Sequence, residues 1–302
     1  MTILGAICGR DKERLNDLPS WAIDFLVGES DEKLLAVQPS FEASSNIYDT
    51  AIRAASHLTP MCYFDNHRLL VRSSVLGKVS ALRWTREDIF DANLLMQLET
   101  LPRLYRFTGE SIVEAFWRTS LANSVNRQYP AEWPNAASGD VFRSFVIFTI
   151  FLMVSLGELD IPRSFWILDQ LAEIDPDGHL PSSHQLELIG QENYSEATRR
   201  GDTSQRVDDF QHQSSIFADA VRTSMTQSRI VESDEGHLAL APKSSQIGDS
   251  IAILEGCRIP LVLRPHPQDS TSFIIIGSAY IHGVMYGEAI SSSTEWKEIW
   301  MA

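Results

Sequence analysis

The hydrophobic period of this chain changes twice, and that change limits its folding options more than any other feature. RLLVRSSVLGKVSALRW, from Arg68 to Trp84, alternates around β-branched residues with Gly77 near its middle. It reads as a strand pair or one bulged strand. Helical periodicity then takes over through DIFDANLLMQLETL, GESIVEAFWRTSLANSV, VFRSFVIFTIFLMVSL and DDFQHQSSIFADAVRTSM. After Arg229 come short β-type runs separated by Gly, Pro or Asp clusters: SRIVES, HLALAP, GDSIAILEG, IPLVLRP and SFIIIGSAYIHGVM. Isolated two-stranded pieces are only marginally stable in water, so strands on either side of the helices are most simply joined in one sheet. The expectation is an α+β fold, with an antiparallel β-sheet or small barrel built from N- and C-terminal segments and a large helical subdomain inserted between them. The boundaries read as a single compact domain over 1–302, with a β subdomain at 66–84 plus 229–290 and a helical subdomain at 44–60 plus 86–228. The turn-rich stretch 157–205, with DPDG, LPSSH and TRRGDTSQ, reads as an irregular excursion.

Charge and cysteine usage narrow the classes of function. Forty acidic against twenty-five basic residues give a net charge of −15, which repels phosphate backbones and anionic lipid surfaces. Neither nucleic acid nor a membrane is expected as a partner. The longest apolar run, FVIFTIFLMVSL, has twelve residues against the roughly twenty of a spanning helix, and reads as a buried helix. Three scattered cysteines, Cys8, Cys62 and Cys257, suggest neither a disulfide framework nor a zinc site and fit a reducing, cytoplasmic compartment.

The richest chemistry sits in GSAYIHGVMYGEAI, Gly277 to Ile290. Its glycines permit sharp turns that could present His282 and Glu288 as an acid/base pair, with Tyr280 or Tyr286 donating to a developing oxyanion. The competing reading is structural: the same side chains satisfy buried backbone groups at a turn. In TGESIVEAFWRTSLAN, Thr108 is a candidate cap, with Glu110 in the first turn. Glu114 and Arg118 are spaced to pair along one face, and a buried Arg118 could instead clamp a carboxylate or enolate. Phe116 and Trp117 are core candidates that could also line an apolar pocket, with Glu110 and Tyr286 as further substrate contacts. Asp208 and His212 stand at metal-ligand spacing on a helix, but two ligands are too few, and no metal or cofactor is expected. The absence of GxSxG, P-loop and GxGxxG motifs removes serine-hydrolase, nucleotide-hydrolysing and dinucleotide-binding readings.

Several segments, taken in order, resemble the region that follows the HET domain in fungal heterokaryon-incompatibility proteins. They are LPSWAIDF (Leu18 to Phe25), IYDTAIRAA, TGESIVEAFWRTSLAN, YPAEW, GDSIAILEG with IPLVLRP, and YIHGVMYGEA. In that family the HET domain, which resembles a TIR-type signalling module linked to cell death, should lie upstream of Leu18. Only seventeen residues precede it, so the chain reads as the downstream module without its effector. Two functions are compatible with that reading. One is a cofactor-free cyclase or isomerase acting on a polyketide- or terpenoid-like intermediate of fungal specialised metabolism, with a small apolar molecule as ligand. The other is a non-catalytic recognition or regulatory module with a protein partner.

Overall fold

The computed structural model describes residues 62–65, 68–91, 94–123, 139–175, 177–200, 205–257 and 259–302. The helix expected within 44–60, LPSWAIDF, IYDTAIRAA and YPAEW lie outside the described residues. The chain divides into two units, one comprising the described residues up to Arg83 with Gln227–Ala302, the other Trp84–Thr226.

The first unit is built on nine strands: β1 (Cys62–Asp65), β2 (Arg68–Leu82), β3 (Ser228–Ser233), β4 (Leu238–Pro242), β5 (Ser250–Leu254), β6 (Leu261–His266), β7 (Asp269–Ser278), β8 (Tyr280–Ile281) and β9 (Lys297–Met301). The two sequence blocks join directly, because β2 pairs antiparallel with β5 from Ser73↔Leu254 to Lys78↔Ser250. On its other side β2 pairs with β9, from Leu69↔Met301 to Ser73↔Lys297. With β5–β6, β6–β7 and a short parallel β7–β9 pairing, five strands close into a ring that leaves no free edge. The sheet therefore extends past the expected limit at 290, since the strand that closes it, KEIWM, is the last element of the chain.

β2 serves two sheets because it bends. Its register shifts between Val75 and Gly77 and again between Val79 and Ala81, after which it pairs with β3. Gly77 has φ +146, and a Cβ there would lie 2.7 Å from Asp234 Oδ1, so only glycine fits this bulge. Strands β3, β4 and β8 form the continuation.

All five residues of β5 are buried, and strand alternation sends them into two cores. Ala252 and Leu254 join Leu69, Val71, Leu261, Leu263, Ile275 and Met301, a cluster drawn from every strand of the ring and hence its interior. Ile251 and Ile253 face the opposite way, toward Val79, Val231, Ala239, Ala241, Ile281 and Val284, where β3, β4 and β8 cover the ring. A strand buried on both faces reads as the near-continuous apolar run SIAIL, as observed.

The second unit contains seven helices among the described residues: α1 (Arg86–Ile89), α2 (Leu94–Glu99), α3 (Ile112–Ser120), α4 (Gly139–Leu156), α5 (Ile161–Ala172), α6 (Ser183–Arg200) and α7 (Gln205–Ser224). The stretch expected to be an irregular excursion thus holds two helices, α5 and α6, whose start signals are present. Asp160 caps α5 by accepting from Arg163 N–H at 3.3 Å, with proline in the first turn. At α6, Ser182 Oγ accepts from Gln185 N–H at 3.2 Å while Gln185 Oε1 accepts from Ser182 N–H at 3.1 Å, a reciprocal capping box. Asp169 of α5 then takes the Ser183 N–H and hydroxyl at 2.7 and 2.6 Å, tying the two helices together.

α4 runs for 18 residues, longer than the apolar run alone suggests, and by length and composition it is apolar enough to cross a membrane. Its buried residues include Phe142, Phe145, Ile147 and Ile150, while Leu152, Val154 and Leu156 at its C-terminal end are exposed. Phe142 and Phe145 pack on Phe217 of α7 with ring centroids 5.3 and 4.8 Å apart.

Candidate functional site

The eight candidate residues divide evenly between the units: His282, Tyr280, Glu288 and Tyr286 in the first, Arg118, Trp117, Phe116 and Glu110 in the second.

In the barrel unit, Gly277 to Ile290 leaves β7, crosses to β8 and ends in tight turns. Gly277 is buried against Pro242, whose Cγ would lie 2.7 Å from an added Cβ. β8 pairs Tyr280 with Leu240 and Ile281 with Ala239. Gly283 and Gly287, at φ +77 and +92, allow the following turns. His282 is 2% exposed; its N–H donates to Leu238 O at 3.4 Å, and its Nδ1 lies 3.1 Å from the equally buried Tyr280 hydroxyl. Glu288 is exposed, and its Oε2 accepts the Tyr286 N–H at 2.7 Å, closing its own turn. The expected His282/Glu288 acid/base pair is therefore not formed: one member is sealed against Tyr280 in the core and the other is committed to a surface turn. Tyr286 is exposed on that turn. The turn glycines do redirect the chain as expected, but they separate the two side chains.

In the helical unit, Ser111 caps α3, its Oγ accepting from Glu114 N–H at 3.1 Å. Thr108 is not the cap, and Glu110 precedes the helix, where its carbonyl accepts from Tyr105 N–H at 2.9 Å. All nine residues of α3 are buried. Phe116 and Trp117 accordingly serve as core: Phe116 meets Trp84 edge-on at 4.9 Å, and Trp117 stacks with Phe142 at 6.4 Å. Neither ring reaches solvent.

Arg118 is buried as well. Its Nε and Nη2 donate to Glu114 Oε1 at 2.8 and 2.6 Å, its Nη1 donates to Asn123 Oδ1 at 3.0 Å, and its guanidinium lies 4.5 Å over the Trp117 ring. The helix ends with Ala122 and Asn123 both at positive φ, 48 and 53, and Asn123 N–H returns to Arg118 O at 2.7 Å. Such a Schellman-type ending usually employs glycine, so the left-handed Ala122 is strained in order to aim Asn123 at Arg118.

Sequence reasoning missed the neighbours of this pair. The turn after α5 carries Asp175, Asp177 and His179. Asp175 is buried, accepts the Leu180 N–H at 2.6 Å, and burial pushes its carboxyl pKa up. His179 Nδ1 lies 3.6 Å from Asp175 Oδ1, and the His179 ring meets Trp117 edge-on at 5.7 Å. Arg143 of α4 donates to Gly178 O at 2.6 Å and holds the turn. Gly139 makes the approach feasible, because an added Cβ would stand 2.0 Å from His179 Nε2. In sequence the signal was DPDGH, read only as a turn; its proximity to Glu114 depends on tertiary packing. Asp208 and His212 are exposed on α7.

With both arrangements described, relationships to known proteins become informative. Residues 181–301 match the family model described as the Het-6 beta-barrel domain. This region resembles the Het-6 barrel family. The match takes in α6, α7 and every strand from β3 to β9; the ring is completed by β2, which lies before it. The chain is also similar to heterokaryon incompatibility protein 6, OR allele, of Neurospora crassa, at 27% identity over 100 residues. That alignment covers 32% of this chain and 15% of the relative. No solved structure matches the chain. The protein is thus related to the fungal heterokaryon-incompatibility proteins, and this relationship lends no support to a cyclase or isomerase.

Proposed function

We propose that this chain is a non-catalytic recognition or regulatory module related to heterokaryon incompatibility. The observation that carries the reading is the Het-6 barrel match over the C-terminal region that includes the ring strands β5, β6, β7 and β9. The geometry of the opening motif agrees with it, since the His282 ring lies against Tyr280 and Glu288 is engaged in its own turn, so these two side chains do not act as a general acid/base pair. The proposed partner is a protein, recognised by the outer surfaces of a rigid scaffold.

The test is expression of the whole chain in a fungal host with an intact incompatibility system, scoring the viability of fused cells and profiling metabolites in the same cultures. A change in viability without a new or depleted metabolite supports the module. Unchanged viability together with a new cyclised product, lost in a folded Arg118→Met variant, would establish instead the cofactor-free cyclase or isomerase of specialised metabolism.

A further inference from the structure

Glu114, Asp177 and His179 each offer one ligand atom, and these atoms lie within 4.8 Å of one another. Glu114 comes from the buried α3, and the other two come from the turn after α5. Two features separate this group from an ordinary acidic surface cluster. The side chain of Asp175 is wholly buried, yet its Oδ1 has no hydrogen-bond partner; the same holds for His179 Nδ1, which faces it at 3.6 Å. Moreover, Arg118 takes only Oε1 of Glu114, leaving Oε2 to point elsewhere.

We infer that Glu114, Asp177 and His179 form a binding site for a divalent transition-metal cation of the zinc class. The donor set, one imidazole and two carboxylates, suits zinc and leaves a fourth coordination position. Asp175 is a positioning residue in this arrangement: its Oδ1, 3.6 Å from His179 Nδ1, would draw in to accept the Nδ1–H and so fix the tautomer in which Nε2 is the ligand, an outer-shell role common to metal-bound histidines. Glycine at 139 lets the His179 ring pack against the backbone there, in the space a Cβ would otherwise fill. Charge also agrees. The carboxylates of Glu114, Asp175 and Asp177 outnumber the neighbouring guanidinium groups of Arg118 and Arg143, which leaves the group net negative. A tetrahedral cation with bonds of about 2.1 Å holds its donors about 3.4 Å apart, so a group whose ligand atoms lie within 4.8 Å of one another must contract to close on it. Asp177, exposed on its turn, can move to do so.

The experiment uses the whole chain, stripped with chelator and dialysed, then titrated calorimetrically with Zn²⁺, with thermal unfolding followed in parallel. One-to-one binding is expected, with a melting temperature that rises with Zn²⁺ concentration. Asp177→Ala should weaken binding at least about tenfold, within the 10- to 100-fold expected even for a supporting residue, and His179→Gln should abolish it. Asp208→Ala/His212→Ala, at exposed positions of α7, should bind as the parent does. Because Asp177 is exposed, its variant decides the matter even where His179→Gln does not fold. No saturable binding by the parent chain, or Asp177→Ala binding as tightly as the parent, overturns the site.

Discussion

Asp249 and Arg264 clasp each other at one end of β5 through two parallel hydrogen bonds, Nε to Oδ1 and Nη2 to Oδ2, each 2.8 Å long. At the other end of β5, Glu255 is held by a single nitrogen, Arg72 Nη1, which lies 3.1 Å from both of its oxygens. Both carboxylates are almost fully buried, while both arginines keep contact with solvent. The residues that made GDSIAILEG and IPLVLRP recognisable are therefore fasteners of the barrel, one at each end of its central strand.

Arg264→Ala should destabilise the barrel unit by about 3 kcal/mol, because it leaves the buried Asp249 charge uncompensated. Arg264→Lys should recover only part of this, since an ammonium cannot reproduce the two-pronged contact. Urea unfolding followed by tryptophan fluorescence measures both, and equal stability of the three proteins would show that the clasp contributes nothing.

His282→Ala should lower stability by about 1–3 kcal/mol, because it removes a buried side chain and its hydrogen bond with the Tyr280 hydroxyl. Glu288→Ala, at an exposed turn, should stay within about 0.5 kcal/mol of the parent. The contrast is read from melting temperatures of the two variants; a destabilised Glu288→Ala beside an unaffected His282→Ala would reverse the assignment of core and surface.

Arg118→Met and Glu114→Gln should each cost about 3 kcal/mol or more, since each breaks a buried ion pair. The double variant should be less destabilised than the sum of the two, with a coupling of about 0.5–3 kcal/mol. Chemical denaturation of the three proteins against the parent gives this coupling, and strict additivity would mean that the pair does not act as a unit.

Asp269 sits in the β6–β7 turn, where hydrogen bonds from Ser272 and then Thr271 hold its carboxyl at a pKa of about 2, below the ordinary 3.8. A depressed acid favours folding above its ordinary pKa, and the advantage is lost as pH falls from 3.8 through about 2. Replacing it with Asn should flatten the decline of stability with acid in that window and leave the rest of the profile unchanged. NMR titration of the Asp269 carboxyl checks the pKa itself; a midpoint near 3.8 would rule the mechanism out.

Much of the fold is legible in local patterning. The alternation in 68–82 and after 229, against the 3.6-residue period between them, defines strands flanking helices, because side-chain spacing is a property of the backbone and needs no partner. Even where α5 and α6 escaped notice, their caps at Asp160 and at Ser182 with Gln185 were written in the chain; α6 was obscured because it is largely polar and shows no apolar stripe. The ring closure was hidden for a different reason. KEIWM buries only Met301 fully, and its role depends on β2 and β7 being brought to either side of it.

The candidate sites divide along the same line. Sequence alone supplied the turn glycines, the helix-face spacing of Glu114 with Arg118 and the acidic turn DPDGH, all consequences of steric rules acting over a few residues. Only tertiary packing decided that His282 meets Tyr280 rather than Glu288, that Phe116 and Trp117 fill a core, and that Asp177 and His179 come to lie beside Glu114, some sixty residues away in the chain. The reason is physical. Burial and long-range proximity depend on how whole elements pack, and a charged or aromatic side chain carries no local mark of the surface it will meet.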